Sequence, residues 1–368
     1  MAQSYLAVQL NAKVHEKDID LDINIIAELP KDSVIKRCRG HGSSNWGETA
    51  RIDAEADGES RSYFLKRITG ENGEPMLHGE FESMRMIHDL VPEHCPKPLA
   101  WGNCTDPNVH YLLFPFHELK KGRPDAHRLG HAVAELHTRS ISRNPTGKWG
   151  FHMTTYNGPL AQDNTWTGSW EEFWIRGMKK LFEFEEEARG PSEELRQLIK
   201  PYFEKVCPRL LRPLESNGRH ITPVLIHGDL WVGNTAAQAE TEEPLLFDSA
   251  ALWGHNECES TRASPVQRAC ACRLTGFPDE LSYMRPGADD WSREYVEAYH
   301  RLIPRSEPQE DWEARNALYA TRVIVVDSAI YVEHEHFRRI LIEEIRKLVE
   351  LFPDGYQEER DVNPAIKF

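Results

Sequence analysis

Asp229 and Asn234 stand five residues apart in HGDLWVGNT (His227 to Thr235), directly after the apolar run Pro223-Val224-Leu225-Ile226. A carboxylate able to take an alcohol proton, followed at that interval by an amide able to ligate a metal, is the Asp-x-x-x-x-Asn pattern of a phosphoryl-transfer loop. Fourteen residues beyond Asn234, PLLFDS ends a second apolar run on Asp248, where another metal ligand belongs. A single Asp closing a strand is ordinarily a turn or cap residue. Here strand, loop, strand and carboxylate form a hairpin-like unit that can bring three oxygen-bearing side chains around one ion. His227 is read as bracing the loop by hydrogen bonds, because Asp229 already fills the place of the base.

Phosphoryl transfer also needs a cation on the phosphate oxygens. Lys66 sits mid-strand in YFLK, an odd place for a long cation unless it reaches a phosphate or snorkels to water. Glu80 is the natural ion-pair partner to aim it, and Glu82 is the competing choice. Upstream, RGHGSSNWGETARI (Arg39 to Ile52) sets Ser43 and Ser44 between Gly42 and Gly47. Backbone N–H groups in such a turn can approach phosphate oxygens, so Gly42, Ser43 and Ser44 are candidate nucleotide contacts.

The elements that would carry these groups change character along the chain. The first ~115 residues alternate short strand-like runs with turns, among them Arg61 to Arg67 and Val109 to Phe116. A loop from Gly70 to Pro75 separates the first of these from a helix expected over about Gly79 to Leu90. Beyond Pro115 the period becomes helical: Leu129, Ala132, Val133 and Leu136 form one stripe, Trp291 to Leu302 carries another and Phe337 to Leu348 a third. These readings predict an α+β chain with a small β-rich lobe over 1–116, a larger helical lobe over 117–352 and a polar tail over 353–368. The hinge falls near Phe114 to Leu119.

Composition removes several classes of function. A formal charge of -15 on 368 residues argues against a reader of the nucleic-acid backbone. No apolar run approaches the ~20 residues of a membrane helix, and no basic flank and apolar core mark a secretory signal at the start. Seven cysteines, with Cys270 and Cys272 in a CxC twelve residues after Cys258, lack the paired CxxC spacing of a zinc site and suit reduced thiols in the cytoplasm.

HGDLWVGN followed by LLFDSAALWGHNECE resembles the fructosamine (ketosamine) kinases, within the aminoglycoside phosphotransferase and protein-kinase-like fold. GHGSSNW, YFLK, MLHGEFESM, LGHAVAELH, GKWGF, NGPLAQDNTW with WEEFW, LTGFP and WEARNALY extend the likeness over roughly residues 35 to 350. The resemblance implies a two-lobed kinase-like fold and the use of ATP and Mg2+ to phosphorylate the sugar 3-hydroxyl of ketosamines. The acceptors would be glycated proteins or small ketosamines of the ribulosamine or fructosamine type, and the 3-phosphate would then eliminate to free the amine. By motif, Asp229 is the base, Asn234 and Asp248 hold the metal, and Lys66 and Glu80 position the phosphates. Trp231 lies beside the acceptor next to His227, and Phe114, Phe116 and His117 belong to the adenine-contacting hinge. NGPLAQDNTW would shape the acceptor side. The chain departs from the family's usual pattern at Asp248-Ser249, where a Pro commonly follows the Asp. It also departs at Cys258-Glu259 and at Ser43-Ser44, where many relatives carry a Cys. A kinase for another small hydroxylated amine and a silent nucleotide-binding module are the competing expectations.

Overall fold

A computed structural model describes residues 18–42, 44, 46–259 and 293–358. The N-terminal part is a five-stranded antiparallel sheet of β1 (Val34–Gly40), β2 (Glu48–Ala56), β3 (Glu59–Thr69), β4 (Ala100–Asn103) and β5 (Val109–Pro115), in the order β1-β2-β3-β5-β4. Side chains alternate across a strand, and β2 follows that rule, burying Ala50, Ile52, Ala54 and Ala56. Ala50, Ile52 and Ala54, together with Tyr63, Leu65, Tyr111 and Leu113, form a core under the short helix Ile23–Ala27. The opposite face of β3 and β5 carries Lys66, Ile68, Leu112 and Phe114, with Lys66 directly across from Leu112.

That second face is covered by the helix Gly73–Leu90, through Leu77, Met84 and Ile87. It begins six residues earlier than its apolar stripe predicts, because Pro75 falls in the first turn. The first N–H groups of a helix have no internal acceptor, so a residue without one is tolerated there.

The rest is built on long helices: Ala126–Ser140, Trp170–Arg189, Trp312–Ile330 and Glu335–Leu351. Asp125 caps the first, accepting the His127 and Arg128 N–H groups at 3.0 Å, and Ser169 caps the second. Their buried faces share one core with Leu225, Ile226, Leu246 and Trp253 from short strands. The pairing of those strands corrects the single hairpin expected from the sequence. Val224–Ile226 pairs with Leu252–Gly254, and Thr235–Ala237 pairs with Pro244–Leu246, so the loop of Asp229 and the turn of Asp248 leave two separate ladders at adjacent ends. A β-rich part and a helical part thus face each other as two lobes, an α+β kinase-like arrangement.

The predicted helix near Trp291 corresponds to Arg293–His300, while Trp291, Cys270, Cys272, LTGFP and Ser43 lie outside the described residues. Residues 353–358 begin the predicted tail: Pro353 O accepts Lys205 Nζ at 2.7 Å and Tyr356 stacks under Arg212. Among the described residues no helix is long and apolar enough to cross a membrane.

Candidate functional site

The strand Val224–Ile226 is buried throughout and releases the chain into His227-Gly228-Asp229. Gly228 adopts a φ of +79°, and a Cβ there would stand 2.2 Å from Ala250 O, so only glycine permits this turn against the neighbouring backbone. His227 has no exposed surface. Its Nε2 lies 3.0 Å from Phe247 O, a carbonyl that can only accept, which leaves Nδ1 to accept the Asp229 N–H at 3.4 Å. His227 is therefore bonded into the loop through both ring nitrogens.

Asn234 is the second fixed point. Its Nδ2 donates to Asp229 O and Asp229 Oδ2, both at 2.9 Å, and more weakly to Asp248 O at 3.4 Å. With the amide nitrogen so committed, Oδ1 is the atom Asn234 can offer to a cation. Asp248 occupies the left-handed region with φ +60°, an unfavourable conformation for a residue with a Cβ, found where surrounding structure imposes it.

Across the cleft, Lys66 Nζ donates to Glu80 Oε2 at 2.6 Å and to Asp248 Oδ1 at 2.5 Å. Glu80 shares the inward stripe of Leu77 and Met84 at helical spacing, which decides between the two carboxylates. Glu82 turns instead to Arg85 at 2.7 Å and His152 at 3.4 Å. Burial pushes the Glu80 carboxyl up to about 7, against the pull of the Lys66 charge and with a further rise from Asp248. Desolvation raises the Asp248 carboxyl too, but Lys66 outweighs it and holds that group below the usual carboxylate range. Lys66 is itself raised, its two carboxylates prevailing over burial. A cation lodged between two carboxylates in the cleft marks a place where phosphate and metal charge could be exchanged for it.

The donor set fits a hard divalent ion. Asn234 Oδ1 and the Asp248 carboxylate are oxygen ligands, and magnesium commonly takes only one or two protein oxygens beside phosphates and water. Among the described residues no group of three His, Cys, Asp or Glu side chains could hold a metal alone.

The other predicted residues lie just before β2, at the end of β5 and just after it, and in the loop of Asp229. Gly42 has a φ of +74°, and Ser44 Oγ accepts the Trp46 N–H at 3.2 Å. Phe114 is buried in the larger core. Phe116 follows it, its N–H donating to Ser62 O at 2.9 Å and its ring packed against His41 and the Arg51 guanidinium. His117 is half-buried, and that burial lowers its basicity. Trp231 folds back over Gly233, where any Cβ would enter its ring.

Several residues beyond those the sequence singled out support this site. Glu259 is buried and accepts the backbone N–H groups of His227 and Gly228, the latter at 3.2 Å. The sequence marks this position only as a departure from the family's pattern. Within NGPLAQDNTW, Asn157 donates to Gly228 O at 3.3 Å and Gln162 to Ala250 O at 3.0 Å, tying the predicted acceptor-side segment to the loop. Trp46 spans the lobes, its ring so close to Gly158 that a Cβ there would lie 2.6 Å from it.

Residues 39–263 match the family model described as fructosamine kinase. The chain is 28% identical over 227 residues to a chloroplastic protein-ribulosamine 3-kinase of Oryza sativa subsp. indica, covering 60% of this chain and 59% of that protein. It thus spans less than two thirds of that relative's length. Ketosamine-3-kinase of Mus musculus is 26% identical over 272 residues, 68% of this chain and 77% of that protein. Among solved structures, a Haemophilus somnus protein provisionally named fructosamine-3-kinase superposes with a TM-score of 0.62 at 16% identity, covering 86% of this chain and 92% of that one. A thermostable mutant of aminoglycoside phosphotransferase APH(4)-Ia, in ternary complex with AMP-PNP and hygromycin B, gives 0.56 at 11% identity, over 90% of this chain and 98% of that one. At such identities the structural likeness establishes the fold.

Proposed function

We propose a phosphotransferase role for this chain, which belongs to the fructosamine kinase family: transfer of the γ-phosphate of ATP to the sugar 3-hydroxyl of ketosamines. The observation that carries the reading is the convergence of five groups from four segments. Asn234 bonds the Asp229 carboxylate, reaches toward Asp248 O, and Asp248 is joined across the cleft to Lys66 and Glu80.

In this reading Asp229 accepts the proton of the attacking hydroxyl, a role suited to a carboxylate held in one orientation by Asn234. Glu80 aims Lys66, which leaves Asp248 for the phosphate oxygens when nucleotide enters. Magnesium, held by Asn234 Oδ1 and Asp248, would supply neutralisation of the phosphate charge. Gly42 and Ser44 cover the phosphates, and the backbone around Phe116 and His117 meets the base. Trp231 and the NGPLAQDNTW segment line the acceptor side. The acceptor class, glycated protein amines or small ribulosamine and fructosamine adducts, follows the names of the plant and mouse relatives. Elimination of the 3-phosphate from the product would release the amine and so reverse glycation. A cytoplasmic setting suits an odd count of seven cysteines, read as reduced thiols, and the intracellular supply of ATP.

The test is direct. ATP and magnesium are supplied with a panel of ribulosylated and fructosylated lysines, and each product is read by mass spectrometry for the gain of one phosphate. Transfer to a ketosamine and not to choline or an aminoglycoside is the expected result; transfer only to the latter compounds would replace this reading.

A further inference from the structure

A narrow cavity opens beside the loop of Asp229, lined by Asn157, Gly228, Asp229, Glu259, Tyr319 and Arg322. Arg322 comes from the helix Trp312–Ile330, is half-buried, and projects its guanidinium toward the NGPLAQDNTW segment. Its Nη2 donates to Asn157 Oδ1 at 2.7 Å and to Gln162 Oε1 at 2.6 Å. Asn157 and Gln162 are themselves buried and tied to Gly228 O and Ala250 O, so the guanidinium is held by fixed acceptors.

Both acceptors are neutral. A guanidinium has five N–H donors, and the two bonds use only Nη2, leaving Nε and Nη1 without a protein acceptor among the described residues. No carboxylate of those residues stands within ion-pair distance of it. Glu259, on the same cavity wall, is already committed to the His227 and Gly228 N–H groups. In a chain with 59 acidic and 44 basic residues, an arginine kept from carboxylates beside the reacting carboxylate is a specific placement. If Arg322 served only to join its helix to the NGPLAQDNTW segment, a neutral donor would satisfy the same two amide oxygens without placing charge in the cavity.

We propose that Arg322 is a specificity-determining residue that selects acceptors bearing an anionic substituent near the phosphorylated hydroxyl. The inference rests on the ketosamine reading and narrows it. The anion is either a carboxylate on the amine side, as in an adduct of an α-amino acid, or a phosphate on the far end of the sugar. Charge-assisted hydrogen bonds favour such groups over neutral ones of the same shape.

The experiment compares matched acceptors on the full chain with ATP and magnesium. One arm sets ribulosylglycine against ribulosylglycinamide, which exchanges the carboxylate for a neutral group of similar size. The other sets a ribulosamine 5-phosphate of ethanolamine against the same adduct without phosphate. The anionic member of one pair should show a KM lower by about 10-fold or more, with kcat little changed, as expected for a hydrogen bond to a charged group. The arm that responds identifies the source of the anion. Arg322→Gln should erase the preference by raising KM for the anionic acceptor alone, and Arg322→Lys should restore part of it. Equal KM values within both pairs on the parent enzyme would overturn the inference while leaving ketosamine phosphorylation intact. Failure to phosphorylate any of the four would remove both.

Discussion

Lys66 shows how much a single side chain depends on where its partners stand. It lies on the cleft face of β3, and the two carboxylates that hold it come from different lobes. Replacing Glu80 with Gln leaves Asp248, the proposed metal ligand, as its one carboxylate partner and biases the cation toward it. Glu80→Gln should therefore lower kcat/KM for ATP by about 10- to 100-fold, the size of a lost charged hydrogen bond, in steady-state kinetics. Glu82→Gln, one turn-face away and paired with Arg85, should stay within about twofold of the parent. Loss of equal size in both variants would mean that Glu80 has no special part. Sequence spacing made Asp229, Asn234, Asp248 and Lys66 legible because each belongs to a fixed interval or an anomalous strand position. Arg322 was not, and Glu259, Asn157 and Gln162 stood out only as parts of motifs carrying the family likeness, because their contribution is contact across distant segments, and a lone polar residue carries no period.

At the scale of elements, the turn after Val224–Ile226 joins geometry to chemistry. Gly228 cannot accept a methyl group without displacing Ala250 O, and its φ of +79° adds backbone strain to any replacement. Gly228→Ala should cost about 2 kcal/mol or more in urea denaturation and should depress turnover beyond what the lost stability explains. A variant as stable and active as the parent would show that the turn is not built as described. The long helices were readable because an apolar stripe at helical spacing survives in sequence, as Leu129, Ala132, Val133 and Leu136 show within Ala126–Ser140. The start of Gly73–Leu90 was misread because Pro75 signals a break in sequence yet is harmless in a first turn. The pairing of Val224–Ile226 with Leu252–Gly254 was hidden for a different reason. Three-residue strands carry no alternation long enough to fix a partner, and the tertiary core sets it.

Over the whole molecule, the helical lobe is cross-linked by a buried polar cluster. His255 has no exposed surface; Tyr319 Oη and Ser306 Oγ lie 2.8 and 2.9 Å from its ring nitrogens, and Glu257 pairs with Arg315 at 2.9 Å beside it. Burial lowers the His255 imidazole from 6.5 to about 4, opposed by Glu257. The unfolded chain therefore takes up a proton there at a pH where the folded one does not. Its contribution is full above about 6.5 and is lost as pH falls toward about 4, amounting at most to roughly 3 kcal/mol. Thermal unfolding between pH 7 and 4 should show a flatter decline in His255→Gln than in the parent, and parallel declines would refute the assignment. The proposed chemistry turns on a single arrangement, the Asp229 carboxylate held by Asn234. Its test is the phosphate gain of a ribulosylated lysine under ATP and magnesium, measured side by side for the parent and Asp229→Asn. The variant should bind nucleotide normally and turn over at least about 100-fold more slowly, the scale of general-base catalysis; parental turnover by the variant would contradict the account.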